Sequence, residues 1–219
     1  MQNKQRKRHK HTKQEIERLE NDWYTRKSAL MENILGKEYH TVMHALIPYE
    51  VGGALDLYYY PNGIAGTGIA TKELSYACSE SSHNSRYAKY ELVMFTEYHL
   101  DLDIAQDETT PFGAAHENIS AILNHIAPYS AQATLSPYET CEFPEDMKTV
   151  GGKCLIFDSY EPPGTLSNEE RFGVMLIMEL FRDEMEFAME HGGELLLSKL
   201  KEKGVYPFSN LSRVSVVSS

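Results

Sequence analysis

Ser79, Ser81 and Ser82 stand next to His83, residue types that could supply a nucleophile and its base. Hydrolytic triads are assembled from separate segments, and the chain has no G-x-S-x-G elbow, so the cluster reads as a polar loop. His40 and His44 are four apart, but their strand-like context does not present such a pair on one face as a helix would. His191 and Glu194 share a helical face without the companion histidine or carboxylate that a metal site needs. Gly63 to Gly68 and Val150-Gly151-Gly152-Lys153 resemble pieces of phosphate loops. The first has the wrong spacing, and the second lacks the earlier glycine and the hydroxyl residue after its lysine; both read as turns between strands. Cys78, Cys141 and Cys154 show no CxxC spacing and read as free thiols, with Cys154 inert in an apolar strand. No catalytic residue, metal ligand or cofactor is expected. An enzyme with a site assembled from distant segments remains the weakest of three readings.

Elements can be placed around these residues. Thr12 and Glu15 form a T-x-x-E capping box that opens a helix. Ile16, Leu19, Trp23, Leu30 and Ile34 fall on one stripe of it, and Gly36 stops it. Val42–Ile47 is a short apolar, strand-like run. Leu55, Leu57 and Tyr59 alternate with Asp56, Tyr58 and Tyr60 as a strand does, Pro61-Asn62-Gly63 turns the chain, and residues 66–74 return. Residues 90–98 read as a strand covered on both faces. A second helix is expected over 116–127 with Pro128 beyond its end, followed by an irregular stretch over 130–147. Strands are expected over 150–157 and 174–181, and a helix over 183–203 with Gly204 as its stop. Gly192-Gly193 either breaks that last helix or marks a close backbone approach, because two mid-helix glycines cost roughly 2 kcal/mol.

The 219 residues carry a net charge of −11. Met1–Lys13 holds six bases and no acid and reads as a disordered basic tail; subtracting its +6 leaves −17 on residues 14–219, read as a single domain. Such a body repels phosphates, so its globular part is not expected to bind nucleic acid. It suits a basic protein partner, whose encounter its field would speed. Asp101, Asp103, Asp107 and Glu108 form an acidic loop and are the candidate partner-binding residues. No apolar run is long enough to cross a membrane and no secretory signal is evident, so a cytoplasmic location is expected.

The run Phe181-Arg182-Asp183-Glu184-Met185-Glu186-Phe187-Ala188-Met189-Glu190-His191-Gly192, continuing through Leu195, Leu196 and Leu200 to Gly204, resembles the Suppressor of fused domain family, in particular its bacterial branch. Arg213 fits the family's tail, and Gly53-Ala54-Leu55-Asp56-Leu57-Tyr58 fits its opening strand. Thr71-Lys72-Glu73-Leu74-Ser75 stands where the family has T-x-G-M-S, with glycine and methionine replaced by Glu73 and Leu74. Glu91-Leu92-Val93-Met94 matches the strand that follows. The resemblance spans residues 34–213. It implies an α+β domain whose mixed, largely antiparallel sheet is flanked by helices, and a role in sequestering partner proteins. For the bacterial branch it implies an immunity protein, an antitoxin that covers a polymorphic toxin. The alternative is a scaffold or regulator of an endogenous protein.

Overall fold

The computed structural model describes residues 12–165 and 168–218, so the basic tail expected at the N-terminus falls, through residue 11, outside the described residues. Helix α1 (Lys13–Leu35) opens on the expected box: Thr12 Oγ1 accepts from the Glu15 amide at 3.3 Å, and Glu15 accepts from the Thr12 amide at 2.7 Å. Its buried stripe is Trp23, Lys27, Met31, Ile34 and Leu35. Ile16, expected on that stripe, is exposed.

Six strands follow: β1 (Tyr58–Tyr60), β2 (Thr67–Ala70), β3 (Lys89–Thr96), β4 (Thr140–Glu142), β5 (Cys154–Ser159) and β6 (Phe172–Leu180). They form one sheet in the order β1-β2-β3-β6-β5-β4. Among these six strands only β3 and β6 pair in parallel, with Lys89 opposite Phe172 and Val93 opposite Leu176. The expected α+β class and largely antiparallel mixed sheet are present. Val42–Ile47 makes no strand: a single bridge joins Met43 to Leu57, and Leu46 stands fully in solvent. β4 lies inside the stretch expected to be irregular.

Alternation along the strands builds two cores. Val174, Leu176, Met178 and Leu180 of β6 meet α1, α3 (Arg182–His191) and α4 (Gly193–Glu202) on one face. Met175 and Ile177 meet the second helix, α2 (Pro111–Gln132), on the other, through Ile119, Ile122, Leu123 and Ile126. Each fully buried side chain of this size contributes about 1.5–3 kcal/mol. α2 starts earlier than expected, because Thr110 Oγ1 accepts from the Gly113 amide (3.1 Å) and Pro111 opens the first turn. It also continues through Pro128, which lies inside the helix and not beyond it. The Gly192-Gly193 pair breaks the expected long helix into α3 and α4. Gly192 takes φ 96°, and a Cβ on Gly193 would lie 2.0 Å from the Tyr138 carbonyl oxygen.

His116 anchors α2. Its Nε2 meets the Tyr59 hydroxyl at 2.9 Å, with both residues buried. Burial holds the imidazole below its ordinary 6.5, and a hydrogen bond to the Ala105 backbone offsets part of that. Below about pH 6.5 the unfolded chain binds a proton that the native one refuses. Stability is therefore complete above that pH and falls as pH drops toward the lowered native value. Urea unfolding between pH 7 and 5 should show this loss, and His116→Gln, though less stable, should lack that part of the slope. An identical slope in the variant would reject the assignment.

Candidate interaction surface at the open sheet edge

Three charged clusters hold the elements in place. Inside α1, the Lys27 ammonium donates to the carbonyls of Lys72 (2.5 Å) and Ser75 (2.8 Å) and to Glu91 Oε1 (3.0 Å). Glu91, fully buried on β3, also accepts from the Thr71 hydroxyl (2.7 Å), the Ser75 hydroxyl (2.7 Å) and the amides of Leu74 and Ser75. This carboxylate latches the loop over residues 71–75 to the sheet. On the opposite face Glu179 accepts from Lys153 (2.8 Å) and Asn118 (2.6 Å). Under α3, Arg213 forks onto Glu184, with Nη2 to Oε2 at 2.7 Å, and ties down the C-terminal segment.

β4 ends the sheet. Its register with β5 places Thr140 opposite Ile156 and Glu142 opposite Cys154. The Phe157 amide reaches the Glu139 carbonyl (3.0 Å) and the Phe143 amide reaches the Lys153 carbonyl (3.0 Å), so residues 139, 141 and 143 bond inward. Thr140 and Glu142 therefore direct their backbone N–H and C=O groups outward, along an edge that no strand of the described residues covers.

A groove of about 530 Å³ runs beside this edge, lined by Tyr129, Leu135, Tyr138, Thr140 and Cys141. Because α2 continues through Pro128, its last turn carries Tyr129 to the groove. Tyr138 sits at φ 73°, held by its amide on the Phe157 carbonyl (2.7 Å) and by the close approach of Gly193. Both tyrosines are large and exposed. The flanking segment 137–147 contains Glu139, Glu142, Glu145 and Asp146 and no base; Arg182 of α3 pairs with Glu142 and, at 3.4 Å, with Glu145. Burial pushes the thiols of Cys141 and Cys154 up, which keeps them protonated and poor nucleophiles.

The acidic quartet lies elsewhere. Asp101, Asp103, Asp107 and Glu108 are exposed in the connection that enters α2, whereas the groove lies at that helix's C-terminal end. A helix of 22 residues separates the two by about 33 Å. Asp107 also shapes its own turn. Its carboxylate accepts from the Thr109 amide (3.0 Å) and hydroxyl (2.6 Å), which hold it below the usual carboxylate range. Among the described residues no group of three or more His, Cys, Asp or Glu could hold a metal. No histidine among them is hydrogen-bonded to a serine or cysteine. No helix among them is long and apolar enough to cross a membrane.

Neither a protein-family model nor a curated protein sequence matches the chain. Solved structures do. Suppressor of fused in the Sufu–Fu complex aligns with a TM-score of 0.55 at 15% identity, covering 90% of this chain and 91% of that one. A Suppressor of fused homologue from Neisseria gonorrhoeae aligns with a TM-score of 0.55 at 11% identity, over 91% of this chain and 99% of that one. The chain has the Suppressor of fused fold. Against Drosophila Suppressor of fused it gives a TM-score of 0.55 at 16% identity, and 89% of it covers 50% of that chain.

Hydrogen bonding to Glu91 separates the two kinds of position in the 71–75 segment. The retained residues, Thr71 and Ser75, are the two whose hydroxyls bond Glu91. At the replaced positions Leu74 offers Glu91 only its amide, and Glu73 turns to the Asp56 amide (2.9 Å). Sequence reasoning missed the open edge because Pro137 and Pro144 mask a strand of three residues. The one available signal was the polar, apolar, polar order of Thr140, Cys141 and Glu142.

Proposed function

We propose that this chain is a protein-binding module that takes an extended partner segment by strand addition at β4. The open edge beside two exposed tyrosines carries this reading: main-chain groups of Thr140 and Glu142 supply affinity, and the tyrosine groove selects side chains. An outlying acidic loop around Asp101, Asp103, Asp107 and Glu108 adds long-range attraction for a basic partner. We further propose that the partner is a polymorphic toxin domain and the chain its cytoplasmic, bacterial immunity protein, since the net charge of −11 complements a basic toxin. An endogenous partner is the second reading, favoured by the likeness to a structure solved as the Sufu–Fu complex.

Co-expression with a toxin reading frame lying directly upstream should restore growth. Thr140→Pro removes an outward amide from an edge strand, where proline is tolerated, and should abolish that protection while leaving the unfolding midpoint nearly unchanged. Asp101→Lys, Asp103→Lys and Glu108→Lys, with Asp107→Asn to keep its turn, should slow association roughly tenfold at low salt and flatten its salt dependence. Full protection by Thr140→Pro would reject the edge. Absence of any protection would reject the antitoxin role.

A further inference from the structure

The groove at β4 does not stop at the edge. It meets a second groove, of about 500 Å³, at Thr134, a residue both share. This second groove in turn shares Glu73, Ser75 and Tyr76 with a third, of about 260 Å³, that runs against α1. We propose that the three form one trench, and that a partner segment added to β4 continues along it with lysine or arginine side chains in its far end. This inference rests on reading β4 as the docking edge.

The far end has the chemistry that holds a cation. Glu20 and Glu73 line it together with the rings of Tyr24, Tyr58 and Tyr76, and Glu80 lines the second groove that leads to it. Carboxylates beside aromatic faces are the usual receptor for ammonium and guanidinium groups. The chain already uses this wall for one of its own cations: the Lys72 ammonium lies 4.7 Å from the Tyr58 ring centre and 5.2 Å from that of Tyr24.

The cations that face the trench are engaged by the chain. Lys27 is held by Glu91 and two carbonyls, Lys72 by Glu38 and the Ser28 hydroxyl, and Lys89 by the carbonyls of Tyr76 and Ala77. His83 lines the wall as well. Glu20 accepts from the amides of Ala77 and Cys78, which fixes the trench wall to α1. The 71–75 latch keeps this wall rigid, so the far end is shaped before a partner arrives.

Trp23, the only tryptophan, reports on that end, because its indole N–H donates to the Ser75 carbonyl (2.9 Å) beneath the trench. The test uses a synthetic peptide whose one half alternates valine and threonine and whose other half is lysine-rich, made in both chain orders, with glutamate counterparts. The lysine peptide in one order should bind and shift the Trp23 indole resonance, with affinity that falls as salt rises. Glu80→Lys should weaken binding roughly tenfold, Thr140→Pro should abolish it, and the glutamate peptides should not bind. Binding that is lost in Thr140→Pro but leaves Trp23 unmoved and ignores Glu80→Lys overturns the trench and keeps the edge. A Trp23 shift that survives Thr140→Pro overturns the edge reading, and the continuous segment with it.

Discussion

Lys27→Met should cost about 3–5 kcal/mol of folding stability, the usual result of stranding a buried charge. Lys27 and Glu91 are both nearly inaccessible, and the carboxylate cannot find water without opening the sheet. Four further donors converge on Glu91, from Thr71, Leu74 and Ser75, so the site is built around an anion rather than around a lysine. Glu91→Gln should therefore be nearly as damaging, because an amide NH2 would face donors. Urea unfolding would show a lower midpoint with an unchanged slope, and hydrogen exchange would quicken across residues 71–76. A loss below about 1 kcal/mol for Lys27→Met would show that the latch is not what fixes the loop.

Arg213→Met carries the second large effect, again about 3–5 kcal/mol, by leaving the fully buried Glu184 without its cation. Glu184 keeps two amide donors, from Phe181 (3.1 Å) and Val216 (2.9 Å), which limit the loss but do not neutralise the charge. The guanidinium also stacks 4.8 Å from the centre of the Phe181 ring, and its buried Nε has no hydrogen-bond partner among the described residues, so the fork and the stacking account for its role. Arg213→Lys keeps the charge but not the fork and should lose less. The pair Arg213→Met with Glu184→Met should recover much of the deficit, because the stranded charge goes with its partner. If the double variant is no more stable than Arg213→Met alone, the cost lies in packing and not in the buried ion.

What could be read in the sequence is what the chain decides locally. The Thr12–Glu15 box needs only its own turn, and it forms as expected. The strand and amphipathic helix near the C-terminus are legible because a continuous apolar run and a period-3.6 pattern stand side by side there. The start of α2 is hidden in the sequence because the apolar period begins at Ile119, while the first turn is specified by Thr110 and Pro111. Val42–Ile47 has the composition of a strand, yet it pairs only through the one bridge between Met43 and Leu57. Lys27 sits four residues after Trp23 and four before Met31, a spacing that puts it on the buried stripe. Its burial depends on Glu91, 64 positions away, and no local pattern announces that partner. The open edge depends on where β5 and β6 lie, so it becomes visible only in three dimensions.

The parallel pairing of β3 with β6 has a consequence for how the protein is made. These two strands form the middle of the sheet, yet β6 comes from the last quarter of the chain. A nascent chain that has emerged only as far as β5 holds two half-sheets with no central strand to join them, and it exposes the apolar faces of both cores. Ribosome-bound intermediates of this protein should therefore be clients of chaperones until residue 180 clears the exit tunnel, and synonymous changes that slow translation before β6 should lower the soluble yield.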